Sequence, residues 1–417
     1  MDDALSIALD SNRTYQIARL DERSAANSAT WGKAGLLPKL DANAAWSRSS
    51  NDTRQERVQA GATSVENRDG AKSEASSAGV GATWTVFEGF SSLAALSRLE
   101  TQARLASLRR EAARQDLSAE VISSYGDAVR QKRILLALDS VMAFSRERVR
   151  ITQGKYSLGS VSKLELLQSR LDLNADSSAR LRQETTLRAA KRNLNRILSR
   201  PEAVAFEVSD SVALSELPPL EELKARALES NPVFLQAAEG KRLATLGFRE
   251  YAGQLFPKLG LTAGYNYNLS SSEAGLVRSN EQLGWTYGAN IRFNIFDGAA
   301  VRSDLRNARL AVTRADLQYE DARSRIETSL AEAWAAYRTN LEVLALEASN
   351  LELARENASI ALERLRLGTI VSLELRAAQE KYLDAETRLV SARFESKRTE
   401  TELLRLAGRL SPATTSR

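Results

Sequence analysis

Neither cysteine nor histidine occurs among the 417 residues. Without thiols there are no disulfides, and without imidazole the usual zinc sites and every triad or general-base scheme built on histidine drop out. Carboxylates, tyrosines and lysines remain, but no acid pair stands in a pocket-like context. A carboxylate-based hydrolase is therefore the most remote reading, and no enzyme activity, catalytic residue, metal or cofactor is expected. The chain also has no apolar run of about 18 residues, so no transmembrane helix is expected. A secretory signal is not legible, and Met1-Asp2-Asp3 reads as a start placed before a mature sequence. The net charge is +5 with a pI near 9.3, yet the 58 basic and 53 acidic residues are interleaved along helical faces. That argues against a nucleic-acid partner.

What is present is a duplication, and repeats take precedence over a domain count from length. Tyr156-Ser157-Leu158-Gly159-Ser160-Val161 recurs as Leu365-Arg366-Leu367-Gly368-Thr369-Ile370, 209 positions later. In each copy a long helical pattern runs up to a Leu-Gly, and a second starts a few residues on. Upstream, Ala8-Leu9-Asp10-Ser11-Asn12 recurs as Ala227-Leu228-Glu229-Ser230-Asn231, and Leu37-Pro38-Lys39-Leu40 as Phe256-Pro257-Lys258-Leu259. The first repeat is assigned to 1–199: a helix from about Asp3 to Leu37, broken near Asn12 as an N-cap, strands at about 40–47 and 79–87, and a helical hairpin over 91–199. Residues 48–77 have no apolar period and read as a solvated loop. A connector over 200–219 carries one short strand at Val204 to Val208. The second repeat spans 220–408, with strands at about 259–269 and 284–296 and a helical hairpin over 299–408, leaving 409–417 as a tail.

Period-two alternation is clearest in the second repeat. Leu259, Leu261, Ala263, Tyr265, Tyr267 and Leu269 alternate with Gly260, Thr262, Gly264, Asn266 and Asn268. One face is apolar and carries Trp and Tyr, the other is small or polar, and the strands are long enough to cross a bilayer at a tilt. Four such strands cannot close a barrel, and an open edge is forbidden in hydrocarbon. Copies of the chain must then share one barrel.

The helices carry narrow seams. Val312, Ala315, Tyr319, Ala322, Ile326, Leu330, Ala333, Tyr337, Leu341, Leu344, Ala348 and Leu351 step by three or four, the pattern of coiled-coil packing. A helix over 299–366 would be on the order of 100 Å long at about 1.5 Å per residue. A soluble coiled-coil scaffold would explain these helices but leave the four strands without a role.

Two copies of strand, loop, strand and long helical hairpin, with Phe87-Glu88-Gly89 and Phe296-Asp297-Gly298 after the second strands and Leu-Gly turns at the tips, resemble the TolC family of outer-membrane channels. The resemblance covers about residues 3 to 408. It implies a mainly α fold with a β-barrel part: a homotrimer with a twelve-stranded barrel in outer-membrane lipid and a twelve-helix periplasmic tunnel, in a Gram-negative bacterium. Such a protein is a passive exit duct joined to an inner-membrane transporter by a periplasmic adaptor. The Phe-Glu/Asp-Gly ends favour type I protein secretion with an ABC-type transporter, the alternative being multidrug efflux with an RND-type pump. The resemblance also places adaptor docking at Leu158, Gly159, Ser160, Leu367, Gly368 and Thr369. It puts the pore constriction at Glu165 and Glu374, six residues past each glycine, where crowded carboxylates would favour cations. Leu365, Ile370 and Ala377 depart from the family's gate positions, and Lys163, Arg364 or Arg376 are the candidate partners of the two glutamates.

Overall fold

The computed structural model describes residues 1–59, 62–209, 213–274 and 277–410. Two compact units divide it. One comprises Met1–Glu22, Ala106–Ala238 and Gln318–Arg417 and is helical; the other comprises Arg23–Leu105 and Glu239–Leu317 and contains every described strand.

In chain order the elements are α1 (Asp2–Ser11), α2 (Arg13–Ser28), β1 (Lys39–Gln59), β2 (Ala62–Glu88), α3 (Ser91–Ser157), α4 (Lys163–Ile197), α5 (Leu220–Ser230), α6 (Pro232–Gly253), β3 (Lys258–Ser272), β4 (Ser279–Arg292), α7 (Ala300–Leu367) and α8 (Ser372–Leu406). The duplication is visible in the packing of the helical unit. One core holds Ala8, Tyr15, Leu117, Val121, Leu194 and Ile197, and the other holds Ala227, Phe234, Ile326, Leu330, Leu403 and Leu406 at the same places in the repeat. Each repeat is closed by one asparagine. Asn12 Oδ1 accepts from Tyr15 N at 3.1 Å while its Nδ2 donates to Ile197 O at 2.9 Å. Asn231 likewise accepts from Phe234 N at 3.0 Å and donates to Leu406 O at 2.9 Å. The side chain caps the start of one helix and satisfies a carbonyl at the end of another, so two sets of orphan backbone groups depend on it.

The α7 seam is buried as its spacing requires, with Ile326, Leu330, Tyr337 and Leu351 all buried and only Ala348 of the series exposed.

In the other unit the strands form one antiparallel sheet in the order β1-β2-β3-β4. The middle pairing joins the two repeats, with Val80 opposite Tyr265 and Ala82 opposite Ala263. Among the described residues β1 and β4 each pair on one side only.

Several expected boundaries are corrected. The assigned loop 48–77 is instead the continuation of β1 and β2, paired from Lys39↔Thr83 out to Gln59↔Ala62; residues 60 and 61 lie outside the described residues. The β2–β3 pairing stops at Ser73↔Ser272. Beyond it the β1–β2 ladder is mostly exposed, Ala71 being buried, so the residues have no apolar period to read. The strand expected at 284–296 runs over Ser279–Arg292, and Phe293 and Ile295 fall past its end. Its partner begins at Lys258, paired with Arg292, directly after Pro257, which has no N–H to extend the ladder. The first helical region ends at Ser28, not Leu37. No strand forms at Val204 to Val208; there Asn195 Nδ2 donates to Val204 O at 2.9 Å and Lys132 Nζ to Val208 O at 2.9 Å, so side chains satisfy that backbone. Residues 210–212 of the connector and 411–417 of the tail lie outside the described residues.

Replacing Asn231 by alanine removes the cap and strands a buried carbonyl. Asn231→Ala is expected to lose roughly 2–3 kcal/mol of stability, against about 1–2 kcal/mol for Asn231→Ser, which keeps an N-cap acceptor without burying a charge. Chemical denaturation of the detergent-solubilised protein checks the order of the two.

Candidate functional site

Two regions carry functional geometry, one in each unit. In the strand unit, one face of the sheet is apolar and exposed: Leu40, Trp84, Leu283, Trp285, Tyr287 and Ile291 all expose at least two-fifths of their surface. Tyr265 and Trp285 stack at a centroid distance of 4.8 Å. At one margin Trp46 donates its indole N–H to Glu74 Oε1 at 2.7 Å, and Arg48 stands opposite Glu74. From Leu259 to Leu269 the band covers ten residue-to-residue steps, roughly 33 Å along the strand at about 3.3 Å each. At a tilt of about 40° it is about 25 Å tall, the apolar height of an outer-membrane barrel. A patch of this extent is not left in water by a soluble protein.

In the helical unit the tips are two copies of one turn. Gly159 N donates to Tyr156 O at 3.0 Å and Ser160 N to Lys155 O at 2.8 Å; Gly368 N donates to Leu365 O at 3.1 Å and Thr369 N to Arg364 O at 2.9 Å. With φ of 74° and 77°, both glycines are left-handed, and each closes its helix as a Schellman motif. A side chain there would strain the backbone. Each turn then pushes a leucine into solvent, Leu158 at 82% and Leu367 at 77% exposure, with Leu164 and Leu373 similarly exposed on the helices that follow.

Glu165 and Glu374 both lie in first helical turns. Glu165 N donates to Ser162 Oγ at 3.2 Å, and Glu374 Oε1 accepts weakly from Val371 N at 3.5 Å. Glu165 lines a crevice of about 100 Å³ with Arg148, Asp172 and Arg376 and with Val371, Ser372 and Leu373 of the second tip; Glu374 is not among its walls. The candidate cations do not pair with either acid. Arg376 instead meets Asp176 at 2.8 Å and Glu380 at 2.9 Å. Among the described residues, no ion pair holds Lys163, Arg364, Glu165 or Glu374. Leu365 and Ile370 are buried in an apolar cluster with Leu375 and Tyr382.

The sequence reading missed the polar ties between the two hairpins. Asp176, which within its own hairpin accepts from Ser145 Oγ at 2.6 Å, also accepts from Arg376 of the second hairpin at 2.8 Å. Arg366 reaches Glu147 at 3.1 Å, and Lys155 Nζ donates to Leu365 O at 2.8 Å, where a cation suits a helix C-terminus. These residues look like ordinary solvated charges in the sequence, because their partners lie some 200 positions away.

An amphipathic four-stranded sheet, on a chain built of two long helical hairpins, is the architecture of an outer-membrane channel protein. The family model described as outer membrane efflux protein matches residues 4–200 and 223–409, and the chain belongs to that family. It is 21% identical over 410 residues to the proteases secretion protein PrtF of Dickeya chrysanthemi, covering 94% of this chain and 84% of the relative. It is 19% identical over 328 residues to the outer membrane efflux protein BepC of Brucella suis, covering 78% and 70%. The fold matches the solved structure of the outer-membrane channel OprN with a TM-score of 0.79 at 20% identity, over 97% of this chain and 89% of that one. The protein is an outer-membrane export duct, and the soluble-scaffold alternative is set aside.

The Glu147 carboxylate accepts from Arg150 at 2.7 Å on each oxygen. That contact first, and Arg366 next, hold it at about 2 from an ordinary value of 4.5, against the opposing effect of burial. With the folded value below the unfolded one, the contribution is complete above about pH 4.5 and is lost as pH falls towards 2. Thermal melting between pH 5 and 2 should therefore show a smaller drop for Glu147→Gln than for wild type. Equal drops would mean the tie does not form.

Proposed function

We propose that the chain is the protomer of a homotrimeric duct that passes cargo from an inner-membrane transporter, through a periplasmic adaptor, to the exterior. The observation that carries this reading is the sheet: its apolar face requires lipid, and its two open edges require partners. Pairing β4 of one copy with β1 of the next satisfies both edges, and three copies supply twelve strands, enough for a barrel with a lumen. The helices support the same self-association. On α7, Leu346, Leu353, Ile360 and Leu367 repeat every seven residues and are exposed, as are Leu164, Leu167 and Leu171 on α4. Exposed heptad stripes on one chain call for helices from another.

Within that assembly Glu165 and Glu374 form the constriction, six carboxylates without bound cations of their own. The tip turns, with Leu158, Gly159, Ser160, Leu367, Gly368 and Thr369, receive the adaptor; Leu158 and Leu367 are the apolar anchors. Type I secretion with an ABC-type transporter is the preferred setting, in keeping with the length over which the chain matches a protease-secretion protein. Drug efflux is the second reading, favoured by the similarity to an efflux protein.

Single-channel recording in a planar bilayer tests the duct. Wild type is expected to conduct with cation preference, and the double change Glu165→Ala, Glu374→Ala to raise conductance severalfold and lose that preference. A detergent-free, monodisperse wild type that never inserts would sink the channel. Docking has its own measurement: Leu158→Asp with Leu367→Asp should abolish export in cells while leaving bilayer conductance intact, whereas unimpaired export would remove the tips from the docking surface.

A further inference from the structure

The strand register places the apolar residues on one face of the sheet, and the opposite face carries almost no charge. Rows of that second face read Asn43–Gly79–Asn266–Gly284 and Asp41–Gly81–Gly264–Thr286 across the four strands. Between the row of Gln282 and that of Asn290, Lys39 and Asp41 are the charged residues. They have opposite signs and stand two positions apart on β1, so they face the same way about 7 Å apart. The last row, at the end of the sheet from which β2 leads into α3, is different: Glu88 is opposite Lys258 and Lys258 opposite Arg292. Lys258 Nζ lies 3.8 Å from Glu88 Oε2, and Glu88 also accepts from Ser92 Oγ. Arg292 is exposed and, among the described residues, has no acidic partner. It borders a crevice of about 270 Å³ whose other walls include Thr85, Glu88, Lys258, Thr262 and Asn290.

We infer that Arg292 is a specificity-determining residue of the lumen, which takes carboxylate groups of polypeptide cargo as they enter the barrel. The inference rests on the channel reading, in which the charge-poor face lines the lumen and three copies bring three Arg292 side chains to one level. The remaining charges of this face nearly cancel: in the last row Lys258 is held by Glu88, and in the rows above it Lys39 is offset by Asp41. The guanidinium is what is left over. Its planar fork matches a carboxylate, and it stays charged at every working pH. Fields from unpaired charge extend about 8 Å at physiological ionic strength, and low-dielectric walls focus them. A lumen otherwise lined by Gly, Asn and Thr offers nothing to compete. The glutamates of the helical tips have the opposite sign, so a polypeptide would meet a filter for its cationic side chains at the tips and one for its acidic side chains at the barrel base.

The test uses the purified channel in a planar bilayer, with deca-glutamate added to each side in turn and the concentration for half block measured. Wild type should be blocked, Arg292→Gln should need on the order of tenfold more peptide, and Arg292→Lys should recover only part of the loss. Among the described residues Arg292 makes no ion pair, so Arg292→Gln should also keep the wild-type oligomer by gel filtration. Half block at the same concentration in wild type and Arg292→Gln overturns the assignment while leaving the channel standing. Block by inorganic tripolyphosphate but not by deca-glutamate overturns the polypeptide cargo, and a wild type that forms no channel removes the lumen and the inference together.

Discussion

Unpaired backbone at the edges of β1 and β4 is the constraint on which the rest of the protein depends. In water an open edge hydrogen-bonds to solvent; in hydrocarbon each unpaired N–H or C=O costs several kcal/mol. On the proposed reading, a lipid-facing sheet four strands wide among the described residues has no stable state in a membrane by itself. The apolar face of Trp, Tyr, Leu and Ile is acceptable only in lipid, and lipid is acceptable only once the edges are paired. Self-association is thus part of the fold in this reading, not an addition to it.

The helical unit solves a different problem with the same duplicated parts. Its two cores place Tyr15 where the second repeat has Phe234 and Val121 where it has Leu330, and one asparagine per repeat satisfies backbone at two helix ends. Near the tips a further apolar core, with Leu365, Ile370, Leu375 and Tyr382, is flanked by polar ties between the hairpins: Arg376 on Asp176, Arg366 on Glu147, Lys155 on the Leu365 carbonyl. Partly exposed pairs of this kind contribute little stability singly. They fix which residues face one another, and that leaves Glu165 and Glu374 without compensating cations.

The two units place charge sparingly. On the sheet, the face opposite the apolar one is nearly neutral until its last row, and one arginine there is left over once Lys258 has met Glu88. At the helical tips the glutamates are left over in the same sense. In each case the chemistry comes from a charge whose natural partner is engaged elsewhere.

The sequence by itself determined the duplication, the apolar face of the strands, the seam of α7 and the two tip turns, because each is a local signal: a period of two, a period of three and four, a Leu-Gly before a Ser or Thr. It also carried the family, since the repeat order with its Pro-Lys-Leu, Phe-Asp-Gly and Leu-Gly punctuation is read along the chain. Only the tertiary structure decided the length of the β1–β2 hairpin, whose outer part is mostly exposed and has no hydrophobic period, and the end of β4, which stops where its partner strand begins after Pro257. It alone decided which charges are spent. Arg376 stands two residues past Glu374, a spacing that turns the two side chains to different sides of α8; it meets Glu380 four residues on, as helix spacing allows, but its contact with Asp176, 200 residues away, comes from long-range packing that spacing along the chain does not reveal.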